Sequence, residues 1–213
     1  MVNSGLNIAR FNFSHADYEK SKFLIETIKS LNEELKSHVS LLLDTKGPEI
    51  RTHDFDGEVI IQKDSLVTIS SKEQLGNNRI FSVTYPNFYE EVNIGDLIYV
   101  DDGFLTLEIV QKKNDSRELI TKAKNTHKVK SRRGINVPNV DLNIDFISTK
   151  DFQDINFAIQ QSYDYIAASF TRNAQDILDI RKILQNNKKD SIKIIAKIEN
   201  QSGINNIGAE KRL

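Results

Sequence analysis

The chain has 213 residues, of which 38% are hydrophobic and 28% charged, as is ordinary for a soluble globular protein of one large domain or two small ones. A formal net charge of -1 gives no bulk attraction to nucleic acid or an anionic membrane, and the lack of cysteine excludes disulfides, thiolate catalysis and thiolate-bound zinc. No apolar run approaches the roughly 18 residues of a membrane span, and the N-terminus lacks a signal-peptide core, so we expect a cytoplasmic protein.

The first segment has the pattern of a strand, a helix and a second strand. Residues 6–13 have the spacing of a strand, and apolar residues then recur at helical spacing from Leu24 to Leu35. A second apolar run follows at residues 39–43. This order is typical of one unit of an α/β fold.

The middle segment, residues 52–139, has a different texture. Short β-prone runs are separated there by turn residues, with glycines in or near the breaks. The runs are EVIIQ, SLVTIS, RIFSV, LIYV, FLTLEIVQ and ELITKAK. We interpret this segment as a small all-β domain.

Helical spacing returns from Ser148 onward. Thr149 is the predicted N-cap of a helix whose apolar stripe contains Phe152, Ile155 and Ile159. The strand YIAASF, a second helix with isoleucines at helical spacing and the strand IKIIAKIE follow. Alternating strands and helices predict an α/β fold with a parallel sheet, interrupted by an inserted β domain.

Polar side chains follow the apolar part of each predicted parallel strand. They are Arg10, Asn12 and Ser14 after the first, Asp44 and Thr45 after the second, Ser169 after the third, and Lys197 and Glu199 after the fourth. Lys197 and Glu199 are two residues apart in an extended stretch and therefore share a face. The carboxyl ends of parallel strands are where α/β barrels and open α/β sheets build their sites.

Six segments together resemble the pyruvate kinase family. They are NIARFNFSH, LLLDTKGPEIRT, YVDDGFLTLE, RRGINVPNV, DYIAASFTR and KIIAKIENQSGINN, in the family's order and spacing up to about Asn206. The segments DTKGPEIRT and KIENQSG are the most specific. The resemblance implies a partial (β/α)8 TIM barrel of about four βα units. Barrel strands 2–3 are expected in residues 1–51, an inserted β-barrel lid in residues 52–139, and strands 4–5 in residues 140–213.

The resemblance also implies roles in phosphoryl transfer. Arg10 is expected to bind the phosphate of phosphoenolpyruvate, a task that suits a guanidinium fork. Lys197 is expected to bind substrate and stabilise the phosphoryl group during transfer, which makes it the catalytic residue. Glu199 is expected to bind Mg²⁺ or Mn²⁺. The implied reaction moves the phosphoryl group of phosphoenolpyruvate to ADP, giving pyruvate and ATP in glycolysis.

A monovalent cation and a nucleotide complete the implied site. Potassium is expected among the oxygens of Asn12, Ser14, Asp44 and Thr45. Glu49 matches family members that need potassium. Arg51 and Arg133 are expected to contact nucleotide phosphate; Arg133 stands where the family usually has lysine, which keeps the charge but changes the geometry. Intact family members are usually homotetramers.

Each of these signals also has a simpler reading. Lys197 and Glu199 fit a structural ion pair at a strand end. Asp44 fits a cap or a turn, and Asp101 and Asp102, which precede a glycine, fit a hairpin turn better than a metal pair. Apart from Arg133, residues 128–134 fit an exposed lysine-rich edge strand better than a nucleic-acid patch.

Two hypotheses remain open on the sequence. The first is a pyruvate kinase polypeptide that is inactive as this isolated stretch, because about four of the eight barrel strands typical of the fold are represented and a second magnesium carboxylate is expected beyond Glu199. The second is a non-catalytic remnant or half-enzyme, which retains partial ligand binding or pairs with a complementary chain. An unrelated phosphate-binding barrel enzyme would not require the segment DTKGPEIRT.

Overall fold

The chain forms two compact units in a computed structural model, which describes residues 1–14, 16–138, 140 and 142–210. The split unit consists of Met1–Pro48 and Asp145–Leu213, and the inserted unit of Glu49–Ile144. The predicted end of the insertion, residue 139, lies outside the described residues. Among the helices in the described ranges, none is long and apolar enough to cross a membrane.

Helices and strands of the split unit lie before and after those of the inserted unit along the chain. The split unit begins with a 3-10 turn at Val2–Ser4, β1 (Ile8–Asn12), α1 (Tyr18–Leu35) and β2 (Ser40–Asp44). The inserted unit contains β3 (Ile50–Arg51), β4 (Val59–Ile61), β5 (Leu66–Ser70), β6 (Ile80–Ser82), α2 (Phe88–Glu91), β7 (Leu97–Val100), β8 (Leu105–Lys113), β9 (Glu118–Ala123), β10 (His127–Val129) and β11 (Gly134–Asn136). The split unit continues with α3 (Thr149–Gln160), β12 (Tyr165–Ala168), α4 (Ala174–Asn186), β13 (Lys193–Ala196) and α5 (Gln201–Glu210).

The split unit is built on a parallel sheet with the strand order β1-β2-β12-β13. Asn12 lies opposite Asp44 in the first strand pair, Ala167 opposite Asp44 in the second, and Ala168 opposite Ala196 in the third. The carboxyl ends of all the strands therefore meet at one edge of the sheet. This arrangement confirms the predicted α/β class.

Helix α1 contains the residues with helical spacing, as predicted. Ser21 and Ile25 are buried and Ile28 is partly buried, whereas Leu24 is 50% exposed and Leu35 40% exposed. A period of 3.6 residues fits more than one face of a helix, and packing against the sheet selects the face that is buried. Asp17 caps the helix, accepting hydrogen bonds from the next backbone amides at 3.0 and 3.2 Å.

The N-cap of helix α3 lies one residue earlier than predicted. Ser148 is the N-cap, and it forms a capping box with Asp151. Ile155 and Ile159 are buried as expected, but Phe152 is half-exposed. The apolar stripe is therefore narrower than the sequence pattern indicates.

The inserted unit is an all-β fold around its own core. Its larger sheet has the order β3-β11-β7-β8-β9-β5-β6, antiparallel except for the pair β5 and β6, and a second sheet pairs β4 with β10. Each of the six predicted runs contains a strand. Residues 128–134 are predicted as one edge strand but belong to two strands. Residues 128 and 129 lie in β10, whereas Gly134 begins β11, which lies inside the larger sheet between β3 and β7. Such short strands depend on distant partners, which the sequence pattern does not reveal.

Candidate functional site

A buried carboxylate lies between two cations at the carboxyl edge of the parallel sheet. Asp44 ends β2 with 2% of its surface exposed. Arg10, from β1, donates from Nε to Asp44 Oδ2 at 2.7 Å, and Lys197 donates from Nζ to Asp44 Oδ1 at 2.9 Å. Strands β1 and β13 lie at opposite sides of the sheet, so Asp44 joins side chains from both ends of the strand order.

The two cations determine the charge of Asp44. Burial alone would raise the pKa of this carboxyl group, but the hydrogen bonds from Lys197 and Arg10 outweigh burial and lower the pKa below its ordinary value. Asp44 is therefore an anion over the physiological pH range. Arg10 remains 60% exposed and Lys197 30% exposed, so both cations retain access to an anionic ligand from solvent.

Lys197 and Glu199 follow β13 in extended backbone and lie together, as their spacing predicts. Lys197 Nζ is 3.4 Å from Glu199 Oε1 and donates to Ser169 Oγ at 2.8 Å. Asp44 and Ser169 are the hydrogen-bond acceptors of the ammonium, and Glu199 is a more distant ion-pair partner.

Ser169 and Phe170 belong to the site although no role was assigned to them from the sequence. Ser169 is buried; its Oγ donates to the Thr45 carbonyl at 2.5 Å, and its N–H donates to Thr45 Oγ1 at 3.0 Å. Phe170 has a left-handed backbone with φ of 56°, and its N–H donates to Glu199 Oε2 at 3.0 Å. The sequence signal that could have identified Ser169 is its position as a polar residue at a strand end. No sequence signal indicates the left-handed backbone of Phe170.

The four residues expected to hold potassium come from two adjacent strand ends. Asn12 faces Asp44 in the strand register, Ser14 donates its N–H to Asn12 Oδ1 at 2.9 Å, and Thr45 follows Asp44 directly. Their oxygens are hard ligands, which suit an alkali cation in chemistry. The residues present therefore fit a monovalent cation.

Glu199 is the side chain expected to bind the divalent cation. Among the described residues there is no group of three or more His, Cys, Asp or Glu side chains that could hold a metal ion. Magnesium in nucleotide and phosphate sites is commonly held by one or two carboxylates together with waters and substrate phosphates. Glu199 fits such a cation as a single protein ligand.

Arg51 lies in β3, and Arg133 directly precedes the neighbouring strand β11. Arg51 lies opposite Gly134 in the pair of β3 and β11, and its Nε donates to Glu49 Oε2 at 2.7 Å. Arg133 lies 3.6 Å from Asp101 through Nη1 and Oδ1, and its buried Nε has no partner within the described residues. The backbones of Arg51 and Arg133 therefore lie at neighbouring places in this sheet.

The paired aspartates lie in a turn, as expected. Asp101, Asp102 and Gly103 all have positive φ, between β7 and β8. Asp101 also lies 2.9 Å from His127 Nε2, so its carboxylate serves a local ion-pair cluster. This geometry gives no support to a metal pair at these residues.

This α/β chain has a cationic site at the strand ends. Comparison with known proteins identifies its class. The family model described as the barrel domain of pyruvate kinase matches residues 1–210. The chain belongs to the pyruvate kinase family.

Curated relatives support the same assignment. Pyruvate kinase of Staphylococcus epidermidis is 45% identical over 208 residues, which is 97% of this chain and 35% of the relative. The corresponding enzyme of Staphylococcus saprophyticus is 44% identical over 97% of this chain and 36% of the relative, and that of Bacillus licheniformis is 41% identical over 98% and 36%. The chain thus spans about 35% of the length of these relatives.

Proposed function

We propose that this chain supplies the phosphate-binding and phosphoryl-transfer residues of a pyruvate kinase, which moves the phosphoryl group of phosphoenolpyruvate to ADP. The observation that carries the proposal is the pair of accessible cations, Arg10 and Lys197, fixed on one buried carboxylate, Asp44. Phosphoryl transfer depends mainly on positioning and on cations around the transferring oxygens. A pair of positive groups held by a shared anion provides both.

Arg10 and Lys197 have different roles in this proposal. Arg10 is the more exposed cation, and its planar fork suits a phosphate at rest. Lys197 is held by Asp44 and Ser169 and stabilises the charge on the phosphoryl group as it leaves. Since these two acceptors hold Lys197 at short distances, its ammonium is already positioned before substrate binds.

Glu199 is the least closely held partner of Lys197. Their 3.4 Å separation is longer than the hydrogen bonds of Lys197 with Asp44 and Ser169. Glu199 would hold a divalent cation, and the third N–H of Lys197 would serve a phosphoryl oxygen. The divalent cation supplies charge neutralisation and orients the phosphate oxygens when it is bound.

The remaining expected residues have supporting parts in the proposal. Asn12, Ser14, Asp44 and the Thr45 carbonyl hold a potassium ion, whose positive charge adds to that of the two cationic side chains. Arg51 and Arg133 bind the phosphates of ADP, a role supported by their shared place in the sheet of the inserted unit. Asp101 offsets part of the charge of Arg133 until a phosphate is bound.

Binding of phosphoenolpyruvate to the 213-residue chain tests the proposal. We expect Lys197→Ala to weaken binding by about 10- to 100-fold, which is the usual cost of losing a charged hydrogen bond. Lys193→Ala is the matched control, because Lys193 is an exposed lysine on the same strand β13. Equal affinities for wild type and Lys197→Ala, measured by calorimetric titration with Mg²⁺ and K⁺ present, would contradict the proposal.

A second candidate is a chain that binds the phosphate but does not turn over. The observation that favours it is that the described residues contain no group of three or more His, Cys, Asp or Glu side chains that could hold a metal ion. Pyruvate formation from phosphoenolpyruvate and ADP, followed alongside the titration, separates the two candidates. Turnover abolished by Lys197→Ala supports the enzyme, and binding without turnover supports the second candidate.

A further inference from the structure

We propose that Asp151 is a positioning residue that fixes the turn after β2 and so aims the Thr45 carbonyl into the potassium site. This inference rests on the proposed function for the identity of the cation. Asp151 itself lies in α3, outside the strand ends, and touches none of the expected ligands of substrate, nucleotide or metal.

Asp151 makes one hydrogen bond that its capping role does not require. Its Oδ2 accepts from Ser148 Oγ at 2.5 Å and from Ser148 N at 3.2 Å, which completes the capping box. Its Oδ1 accepts from the N–H of Gly47 at 3.1 Å, across 104 residues of sequence. Asp151 is 2% exposed, so this second bond is shielded from water.

Gly47 also lies close to the backbone of Ser169. Its φ is 69°, and a Cβ atom there would lie 2.7 Å from the carbonyl oxygen of Ser169. Backbone approach this close leaves no space for a side chain. The turn therefore contacts both the N-terminus of α3 and the residue that follows β12.

Thr45 lies two residues before Gly47 and is bound by Ser169 through both its carbonyl and its hydroxyl group. These bonds hold one end of the turn, and the bond from Gly47 to Asp151 holds the other. A backbone carbonyl has no rotamer of its own, so its direction depends on the peptides that follow it. Outer groups that orient metal ligands typically affect metal affinity by about 10- to 100-fold.

Thallium(I), a monovalent cation, serves as the probe for the test on the 213-residue chain. We expect Asp151→Ala to weaken thallium binding by about 10- to 100-fold. Asp154→Ala is the matched control: Asp154 is a fully buried aspartate on the same helix, but its partners are Tyr18 and Lys150. Equal weakening in the two variants would overturn the inference, because general destabilisation of α3 would then explain the loss.

Hydrogen exchange at the Gly47 N–H reports directly on the hydrogen bond to Asp151, independently of cation binding. We expect its N–H to exchange faster in Asp151→Ala, while Ser148→Ala, which removes the cap hydroxyl but leaves Oδ1 free to accept from Gly47, keeps it protected. Unchanged exchange in Asp151→Ala would overturn the inference. If that variant does not fold, the wild-type protein still tests the inference. The inference would be overturned if the Gly47 N–H exchanged much faster than the Thr45 N–H, which is bonded within the sheet.

The two measurements separate this inference from the proposed function. Absence of thallium binding to wild type would contradict the proposed potassium site. The exchange rate of Gly47 would still show whether Asp151 holds the turn. If both Asp151→Ala and Asp154→Ala bind thallium as wild type does, the proposed potassium site is supported and the role of Asp151 is rejected.

Discussion

The two units of this chain complete their cores in different ways. The inserted unit joins its strands mainly through antiparallel pairs such as β7 with β8 and β8 with β9, so one continuous segment supplies a closed core. In the split unit, β1 and β13 border the sheet without a further strand among the described residues, and Ile8 and Ile195 on them are 44% and 40% exposed. Hairpins need only local chain, whereas parallel strands need helical crossovers between distant segments. The expected functional residues lie mainly in the unit that is formed by two separate segments of the chain.

Matched core deletions give the largest expected effect and test whether the units are energetically separate. Leu43 in the split unit and Leu107 in the inserted unit are both fully buried. Replacing either with alanine should cost about 2–5 kcal/mol of unfolding free energy, through lost burial and a cavity. We expect each variant to lower only the unfolding transition of its own unit, as followed by NMR amide signals during urea titration.

A shared loss would break this comparison. If Leu107→Ala lowers the transition of both units equally, the chain unfolds as one cooperative block. The two units would then be separate in structure but would not unfold independently.

Two glycines with nearly the same backbone angle sharpen the comparison. Gly47 in the split unit and Gly57 in the inserted unit have φ of 69° and 71°, but a Cβ at Gly57 would meet nothing within 4 Å. Gly57→Ala should therefore cost about 1 kcal/mol, for the left-handed backbone alone. Gly47→Ala should cost about 2–4 kcal/mol, because it adds the clash with Ser169. Urea unfolding midpoints check both values, and equal costs would mean that the turn at Gly47 relaxes freely.

Acid should weaken the split unit through Asp44. Because its folded-state pKa is lowered, its carboxylate contributes stability that is present above the ordinary aspartate pKa of about 3.9 and is lost as pH falls through the lowered value. Thermal midpoints measured at falling pH should therefore drop less steeply in Asp44→Asn than in wild type. Parallel pH profiles for the two proteins would contradict the ion-pair geometry.

The smallest effect is expected at an exposed ion-pair cluster of the inserted unit. Hydrogen bonds from Lys128 and Lys130 lower the pKa of Glu58 to about 2. All three side chains are well exposed, so salt screens their attraction. We expect Glu58→Gln to leave the urea midpoint unchanged at high salt. A loss as large as that of Gly47→Ala would show that the pairs are more shielded than their exposure indicates.

Much of the strand-end site follows from the sequence. The spacing of Lys197 and Glu199 places them on one face, and the polar residues after each apolar run predict a common edge of the sheet. Both expectations match the geometry, because strand periodicity and parallel pairing are local or nearly local properties. The roles in catalysis, metal binding and nucleotide binding remain predictions.

Features that depend on tertiary packing were not predictable. The position of Ser169 between Thr45 and Lys197 requires three segments to meet, and the left-handed backbone of Phe170 has no marker in its residue type. Asp151 appears in the sequence only as a polar residue in the first turn of a helix. Its bond to Gly47 depends on where that helix lies against the sheet.

The strand register of the split unit has an evolutionary consequence. Asn12, Asp44 and Ala167 are aligned across neighbouring strands, so a one-residue insertion inside β2 would move Asp44 to the opposite face of the sheet. The cations at Arg10 and Lys197 would then lose their shared anion even though no site residue had been replaced. Insertions and deletions should therefore be tolerated in the loops at the other edge of the sheet and selected against within these strands.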